Sequence, residues 1–238
     1  PSEPGAYGIA AWGEGDKFVL LYDAFDIWKL DPTGKKKPVN ITNNSGRTDS
    51  ITFRYINTDP DKRFIKPKDV LLLSAFDNKS KEAGFYTLRL QGRNPLLERE
   101  LDKYGYTSVK KAKNADLFVF QKSNFNTSPD LYITQDFWQS AKKLTDINPQ
   151  MKAYNWGTSE IFEWIAFDGK PSQGILYKPE NFDPSKKYPV MIYFYEKHSD
   201  ELYRYFAPAP SRSVINIPFF VSRGYIVFTP DIHYGVGQ

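Results

Sequence analysis

The residue types that chemistry demands are scarce in this 238-residue chain, and they cluster near its end. The two histidines are His198 and His233. His198 lies in a charged stretch, Glu196-Lys197-His198-Ser199-Asp200, directly after an apolar run that closes on Tyr195. His233 follows Asp231 by two positions, and residues two apart on a strand project from one face without pairing. A serine nucleophile on a strand-to-helix elbow needs G-x-S-x-G, followed by an acid and a histidine. The nearest fragment, Gly157-Thr158-Ser159-Glu160, lacks the closing glycine. There is no cysteine, which excludes a thiolate nucleophile, thiolate metal sites and disulfides. Neither histidine has metal-ligand partners at usable spacing, so no metal and no cofactor is expected.

The elements that must carry these residues change character along the chain. Apolar residues make up 40% and charged residues 25%, the balance of a folded protein with a core. The aromatic share of 16% favours strands, because flat side chains pack well on a pleated surface. Net charge is +4, but lysines and acids are interleaved, and the densest basic run, Gly34-Lys35-Lys36-Lys37-Pro38, reads as a turn. Without a basic helix or recognition module, no nucleic-acid partner is expected. No stretch approaches the roughly 20 apolar residues of a membrane span, and no signal peptide opens the chain. The opening, Pro1-Ser2-Glu3-Pro4-Gly5, reads as the interior of a protein.

Up to about Gln150 the pattern is one of β-ribbons. Phe18 to Tyr22 is an apolar run, and Asp26-Ile27-Trp28-Lys29-Leu30-Asp31 follows with strict alternation before the turn Asp31-Pro32-Thr33-Gly34. The same grammar returns as Val70 to Phe76 with Gly84 to Leu90, and as Leu117 to Gln121 with Asp130 to Thr134. The copies are 58 positions (27 to 85) and 46 positions (85 to 131) apart. That is the range of propeller blades; an antiparallel sandwich with similar hairpins is the other reading. Three ribbons do not close a propeller, which typically has at least about four blades.

Past Gln150 a different grammar begins. Ser159 to Phe167 reads as a strand, Asp168-Gly169 as a hairpin turn, and Gln173 to Pro179 as the return strand. Val190 to Tyr195 is apolar on both faces, which predicts a strand inside a sheet covered on both sides. Ser213 to Arg223 has apolar residues at helical spacing, with Pro218 unsettling its first half and Gly224 placed as a cap. Tyr225 to Thr229 is a second apolar strand, ending at Pro230-Asp231. Strand, crossover and strand make a parallel unit.

The order of these words, "DGKPSQGILYKPENFDPSKKYPVMIYFY", a helix, then "SRGYIVFTPDIHYGVGQ", resembles the prolyl oligopeptidase family of serine peptidases, especially its dipeptidyl-peptidase and acylaminoacyl-peptidase branches. The resemblance covers Trp164 to Gln238 well and is compatible with Ala6 to Gln150. It implies a mixed fold: C-terminal blades of a β-propeller over residues 1–155, then the first strands of an α/β-hydrolase peptidase domain over 156–238. It implies that Tyr195 aims its hydroxyl at the oxygen of a tetrahedral intermediate. Where the family continues into a Gly-Gly-Pro-like turn, this chain has Glu196-Lys197-His198, which puts Glu196 and His198 where a substrate's amino end would be met. The gly-rich turn after Asp231 falls on Tyr234 to Gln238.

The family's nucleophile, acid and histidine lie beyond the strand that ends at Asp231, so the 238 residues alone are expected to be inactive. The expected parent is a serine-type exopeptidase or oligopeptidase cleaving short peptides near the N-terminus by acyl-enzyme chemistry. Its partners would be a peptide substrate and the remainder of the hydrolase domain, with room for a homo-oligomer. A periplasmic or secreted bacterial location fits the family better than a cytoplasmic one. The alternatives are a noncatalytic propeller-type binding or scaffold protein and a non-peptidase α/β-hydrolase such as an esterase.

Overall fold

Between Ile9 and Asn40 short apolar runs alternate with turn formers, and each run folds back on the one before. In the computed structural model, which describes residues 5–91, 96–135, 140–210 and 214–233, strands β1 (Ile9–Trp12), β2 (Val19–Tyr22), β3 (Ile27–Leu30) and β4 (Val39–Asn40) form an antiparallel meander. The Asp31 carboxylate accepts from the Thr33 N–H at 2.9 Å, and Gly34 completes the β3–β4 turn at φ +73°. A one-turn helix, α1 (Ser45–Asp49), leads into a second antiparallel sheet of β5 (Ile51–Tyr55), β6 (Val70–Asp77), β7 (Ala83–Arg89) and β8 (Leu97–Asp102). The third sheet, β9 (Gly105–Lys111), β10 (Phe118–Asn124), β11 (Thr127–Thr134) and β12 (Lys142–Lys143), keeps the same sequential order.

The second sheet explains why Val70 to Phe76 is apolar without alternation. Successive residues of a strand point to opposite faces, and here both faces are buried. Leu71, Leu73, Tyr86 and Leu88 pack with Leu20 and Ile27 of the first sheet and with Phe18 just before β2, while Leu72 and Phe85 pack with Phe118 and Phe120 of the third. Face-to-face stacking of four-stranded meanders is how propeller blades bury themselves, and it decides between the two readings of the ribbons. Close approach matters as well. A Cβ on Gly84 would lie 1.7 Å from the Glu100 carbonyl oxygen of the neighbouring strand, so no other residue fits there.

The fourth sheet is mixed, in the order β13-β14-β16-β15. β13 (Thr158–Ile165) and β14 (Pro171–Lys178) form the expected hairpin around Asp168-Gly169, with Gly169 at φ +80°. β16 (Ile226–Pro230) runs antiparallel to β14 and parallel to β15 (Val190–Ile192). A short helix, α2 (Ile217–Val221), packs Ile217 and Val221 against Ile175, Tyr177 and Val227. The helix is shorter than its apolar spacing predicts. Pro218 lies in its first turn, where no N–H is needed, and the Asn216 side chain accepts from the Phe219 N–H at 3.1 Å as a cap. Ser213, the predicted helix start, and the gly-rich turn at Tyr234 to Gln238 lie outside the described residues.

The chain divides into two compact units, Ser2–Gln121 with Leu131–Leu144, and Lys122–Asp130 with Thr145–Gln238. In the second, Phe125 of the β10–β11 turn packs on Tyr177 with ring centroids 4.9 Å apart, and its carbonyl accepts from the Trp156 indole. Among the described residues no helix is long and apolar enough to cross a membrane.

The loop between β2 and β3 is held by two carboxylates. Asp26, fully buried, accepts from the Thr42 hydroxyl at 2.6 Å and from the Gly46 and Arg47 amides at 3.0 and 3.1 Å. Partial burial raises the Asp23 carboxyl, but the Asp26 amide, the Trp28 indole, the Phe25 amide and the Arg47 guanidinium outweigh it and hold the group at about 2. A depressed carboxyl contributes stability above its unfolded value near ~3.9 and loses it as pH falls towards the folded value. With solvent screening at this partly exposed group the contribution is roughly 1 kcal/mol. Asp23→Asn is therefore expected to raise hydrogen exchange at the β2–β3 amides at pH 7 by about fivefold, the equivalent of that energy. The difference from wild type should shrink as pH falls below about 4 and vanish only below about 2; an exchange ratio independent of pH would show that Asp23 is not the titrating anchor.

Candidate functional site

The site is built where β15 ends. Strand β15 pairs with β16 through Val190–Ile226, Met191–Val227 and Ile192–Phe228, and the Tyr193 N–H still donates to the Phe228 carbonyl at 3.0 Å. Beyond that the backbone turns, so Tyr195 stands on the turn rather than on the strand predicted to run through it. The strand is also not covered on both sides. It lies at the edge of the sheet with Met191 and Tyr193 half-buried and Val190, Ile192 and Phe194 exposed. Edge strands alternate in this way when one face alone meets a packed layer, here the layer that includes α2.

Four backbone contacts tie the turn to β16 and its continuation. They are the Tyr193 N–H to the Phe228 carbonyl, the Ile232 N–H to the Glu196 carbonyl at 2.8 Å, and the His198 and Ser199 N–H groups to Asp231 Oδ1 at 2.7 and 2.8 Å. Asp231 is buried, and Gln173 donates its side-chain amide to Asp231 Oδ2 at 3.3 Å and to the Ser199 hydroxyl at 3.0 Å. Gln173 reaches because β14 lies close to β16. A Cβ on Gly174 would be 2.7 Å from both the Pro230 Cα and the Thr229 carbonyl oxygen, so this approach needs glycine.

The side chains divide into two groups. Tyr195 is 71% exposed, and its hydroxyl has no hydrogen-bond partner among the described residues. Glu196 is exposed too, with its backbone at φ +54°. His198 turns inward. Its ring lies 5.5 Å from that of Tyr193, its Nδ1 is 3.5 Å from Glu201 Oε2, and its buried Nε2 has no partner among the described residues. Glu201 also pairs with Arg204, and Lys197 with Asp200 at 2.7 Å. Tyr177, Tyr193, His198, Glu201, Arg204 and Thr229 contribute to the lining of a cavity of about 500 Å³. Burial, then the Glu201 charge, pushes the Tyr177 phenol well above its usual range, with the Thr229 hydroxyl and Arg204 opposing more weakly. It stays a neutral donor at every physiological pH.

Of the residues singled out from sequence, Tyr195, Glu196 and His198 share one turn, with Tyr195 and Glu196 facing solvent and His198 packed inward. His233 is exposed. Asp231 and Gln173 were not visible as site residues. An aspartate after Pro230 at the end of an apolar strand was the available signal, but only the fold shows that its carboxylate faces the Tyr195 turn rather than His233.

Comparison with known proteins follows the same geometry. No family model matches the chain. Over 160 residues it is 28% identical to a probable dipeptidyl-aminopeptidase B of Aspergillus clavatus, covering 63% of this chain and 16% of that protein. The crystal structure of Porphyromonas gingivalis dipeptidyl peptidase 4 superposes with a TM-score of 0.62 at 17% identity, over 93% of this chain and 30% of that one. Pyrococcus horikoshii acylaminoacyl peptidase gives 0.59 at 14% identity, over 94% and 32%.

The chain shares the fold of a part of these prolyl oligopeptidase-family enzymes. The blade-like meanders and the resemblance drawn from the terminal motifs are consistent with these matches. The chain spans about a third of the length of those solved structures and 16% of the curated relative.

One feature of the turn departs from the glycine-rich form that the resemblance implies. A non-glycine residue at φ +54° costs roughly 1–2 kcal/mol, and glycine at that position returns part of it as chain entropy. Glu196→Gly should therefore stabilise the unit containing β15 by up to about 1 kcal/mol, read as a raised melting temperature, while Glu196→Ala should not. Equal melting temperatures for the two variants would show that the turn bears no backbone strain.

Proposed function

We propose that this chain is part of a serine-type exopeptidase or oligopeptidase that cleaves short peptides near their N-terminus through an acyl-enzyme. In this reading residues 1–155 are propeller blades and residues 156–238 begin the α/β-hydrolase domain. The triad is supplied from outside these 238 residues, which alone are inactive. The observation that carries the proposal is the presentation of Tyr195. Its hydroxyl has no partner of its own among the described residues, and the backbone on either side of it is pinned to β16 and to Asp231 and Ile232 just beyond. A phenol so placed can donate to an oxygen as negative charge develops on it, without first breaking another bond.

Further support comes from the sheet, in which a hairpin leads to a parallel pair joined through α2. The exposed Val190, Ile192 and Phe194 are the surface that the remainder of a hydrolase domain would cover. Glu196 and His198 belong to the same turn; Glu196 is assigned to contact with the substrate through its exposed carboxylate, and His198, packed inward against Tyr193 and Glu201, only through the cavity it lines. A secreted or periplasmic location accompanies this reading.

The chemistry would run as general acyl transfer. The serine would give its proton to the triad histidine as it attacks the scissile carbonyl, and Tyr195 would donate to the carbonyl oxygen as it takes up negative charge. The histidine would pass the proton to the departing amine as the C–N bond breaks, and water would then hydrolyse the acyl-enzyme. The direct test is the intact mass of the protein from its source after fluorophosphonate treatment, which labels activated serines. One label on a species much larger than 27.5 kDa is expected; an unlabelled 27.5 kDa species would instead make the chain a noncatalytic binding protein. In the labelled protein, Tyr195→Phe should lower kcat by about 10²–10³-fold with KM little changed. An unchanged kcat would remove Tyr195 from the oxyanion site.

A further inference from the structure

We infer that Asp231, supported by Gln173, is the positioning residue that aims Tyr195; this rests on the oxyanion reading of Tyr195. Nothing touching the Tyr195 hydroxyl fixes its direction among the described residues, so the direction must come from the backbone. Two of the four contacts that hold that backbone converge on a single atom, Asp231 Oδ1, through the His198 and Ser199 amides. A third, from the Ile232 N–H to the Glu196 carbonyl, is made by the next residue in the chain.

Asp231 is itself fixed. Its N–H donates to the Gln173 carbonyl at 2.9 Å and its Oδ2 accepts from the Gln173 side chain. The carboxylate is therefore held from β14 on one side and holds the turn on the other. Hydrogen bonds to an ionised acceptor are about twice as strong as neutral ones, and this acceptor is buried. The turn also carries Glu196 in a left-handed conformation, which persists only where the surroundings impose it. Loss of the anchor would let the turn relax and shift the phenol by a distance of the order that costs about 10²-fold in rate. Neither Asp231 nor Gln173 touches substrate in this scheme; both act through Tyr195.

The test is a double-mutant cycle in the full-length peptidase, with kcat and KM measured on a chromogenic dipeptide amide. Asp231→Asn keeps the shape but replaces the charged acceptor and turns an NH₂ group towards Gln173. We expect kcat to fall about 10–100-fold with KM within about threefold. In a Tyr195→Phe background the same substitution should cost nothing further in kcat. Losses that multiply would overturn the inference and leave the role of Tyr195 standing. A Tyr195→Phe variant with full kcat would sink the oxyanion reading, and the inference with it.

If Asp231→Asn fails to fold by circular dichroism, Gln173→Leu decides through the same cycle. It leaves the two amide contacts to Asp231 in place and removes the side-chain donations of Gln173 to Asp231 Oδ2 and to the Ser199 hydroxyl. A several-fold loss of kcat that disappears in the Tyr195→Phe background supports positioning. An unchanged kcat, or a loss that persists in that background, overturns it.

Discussion

A carboxylate taken out of water must be met by donors, and loops leaving a strand carry amides that must be met by acceptors. Three buried aspartates satisfy both demands together. Asp26 receives the Thr42 hydroxyl and the amides of Gly46 and Arg47. Asp130 receives the Thr145 hydroxyl and the Ile147 amide. Asp231 receives the amides of His198 and Ser199. Asp26 and Asp231 adjoin strand ends and Asp130 lies within β11, and each ties in a segment 15 or more residues distant in sequence.

The apolar framework sets where those anchors can stand. The second sheet has no solvent face, because Leu71 and Leu73 serve one neighbour and Leu72 and Phe85 the other. Its strands are consequently held in register on both sides, and close approaches such as that at Gly84 become tolerable. In the fourth sheet Ile175, Tyr177 and Val227 form the covered face under α2. The opposite demand, that something display a group to solvent, is met at the sheet's edge by β15.

The turn after β15 combines rigidity of the backbone with freedom of the side chain. The Tyr193, His198 and Ser199 amides and the Glu196 carbonyl are taken up by Phe228, Asp231 and Ile232, while the Tyr195 hydroxyl has no partner among the described residues. Under the oxyanion role proposed for Tyr195, this arrangement would suit a donor to charge that exists only in a transition state, since a ground-state partner would have to be displaced first. His198 has gone the other way, into the wall of the cavity beneath the turn, where Glu201 and Tyr193 meet it.

Much of the fold was legible in residue order. The ribbons at Val70 to Phe76 and Gly84 to Leu90, the hairpin about Asp168-Gly169 and the strand at Tyr225 to Thr229 are local patterns, since periodicity and turn residues act over a few positions. Tyr195, Glu196 and His198 could be named because they adjoin one another in the chain. Which faces are covered is not a local property. Val190 to Phe194 has the composition of a buried strand and lies at an exposed edge, because burial depends on which layers pack against it. Asp231 and Gln173 are 58 residues apart, and they meet only because antiparallel pairing of β14 with β16 places them side by side. The sequence by itself located the hairpins and most of the strands it named and offered Tyr195 as a candidate; only tertiary pairing decided which carboxylate holds that tyrosine's turn, because a hydrogen bond depends on distance in space and not on distance along the chain.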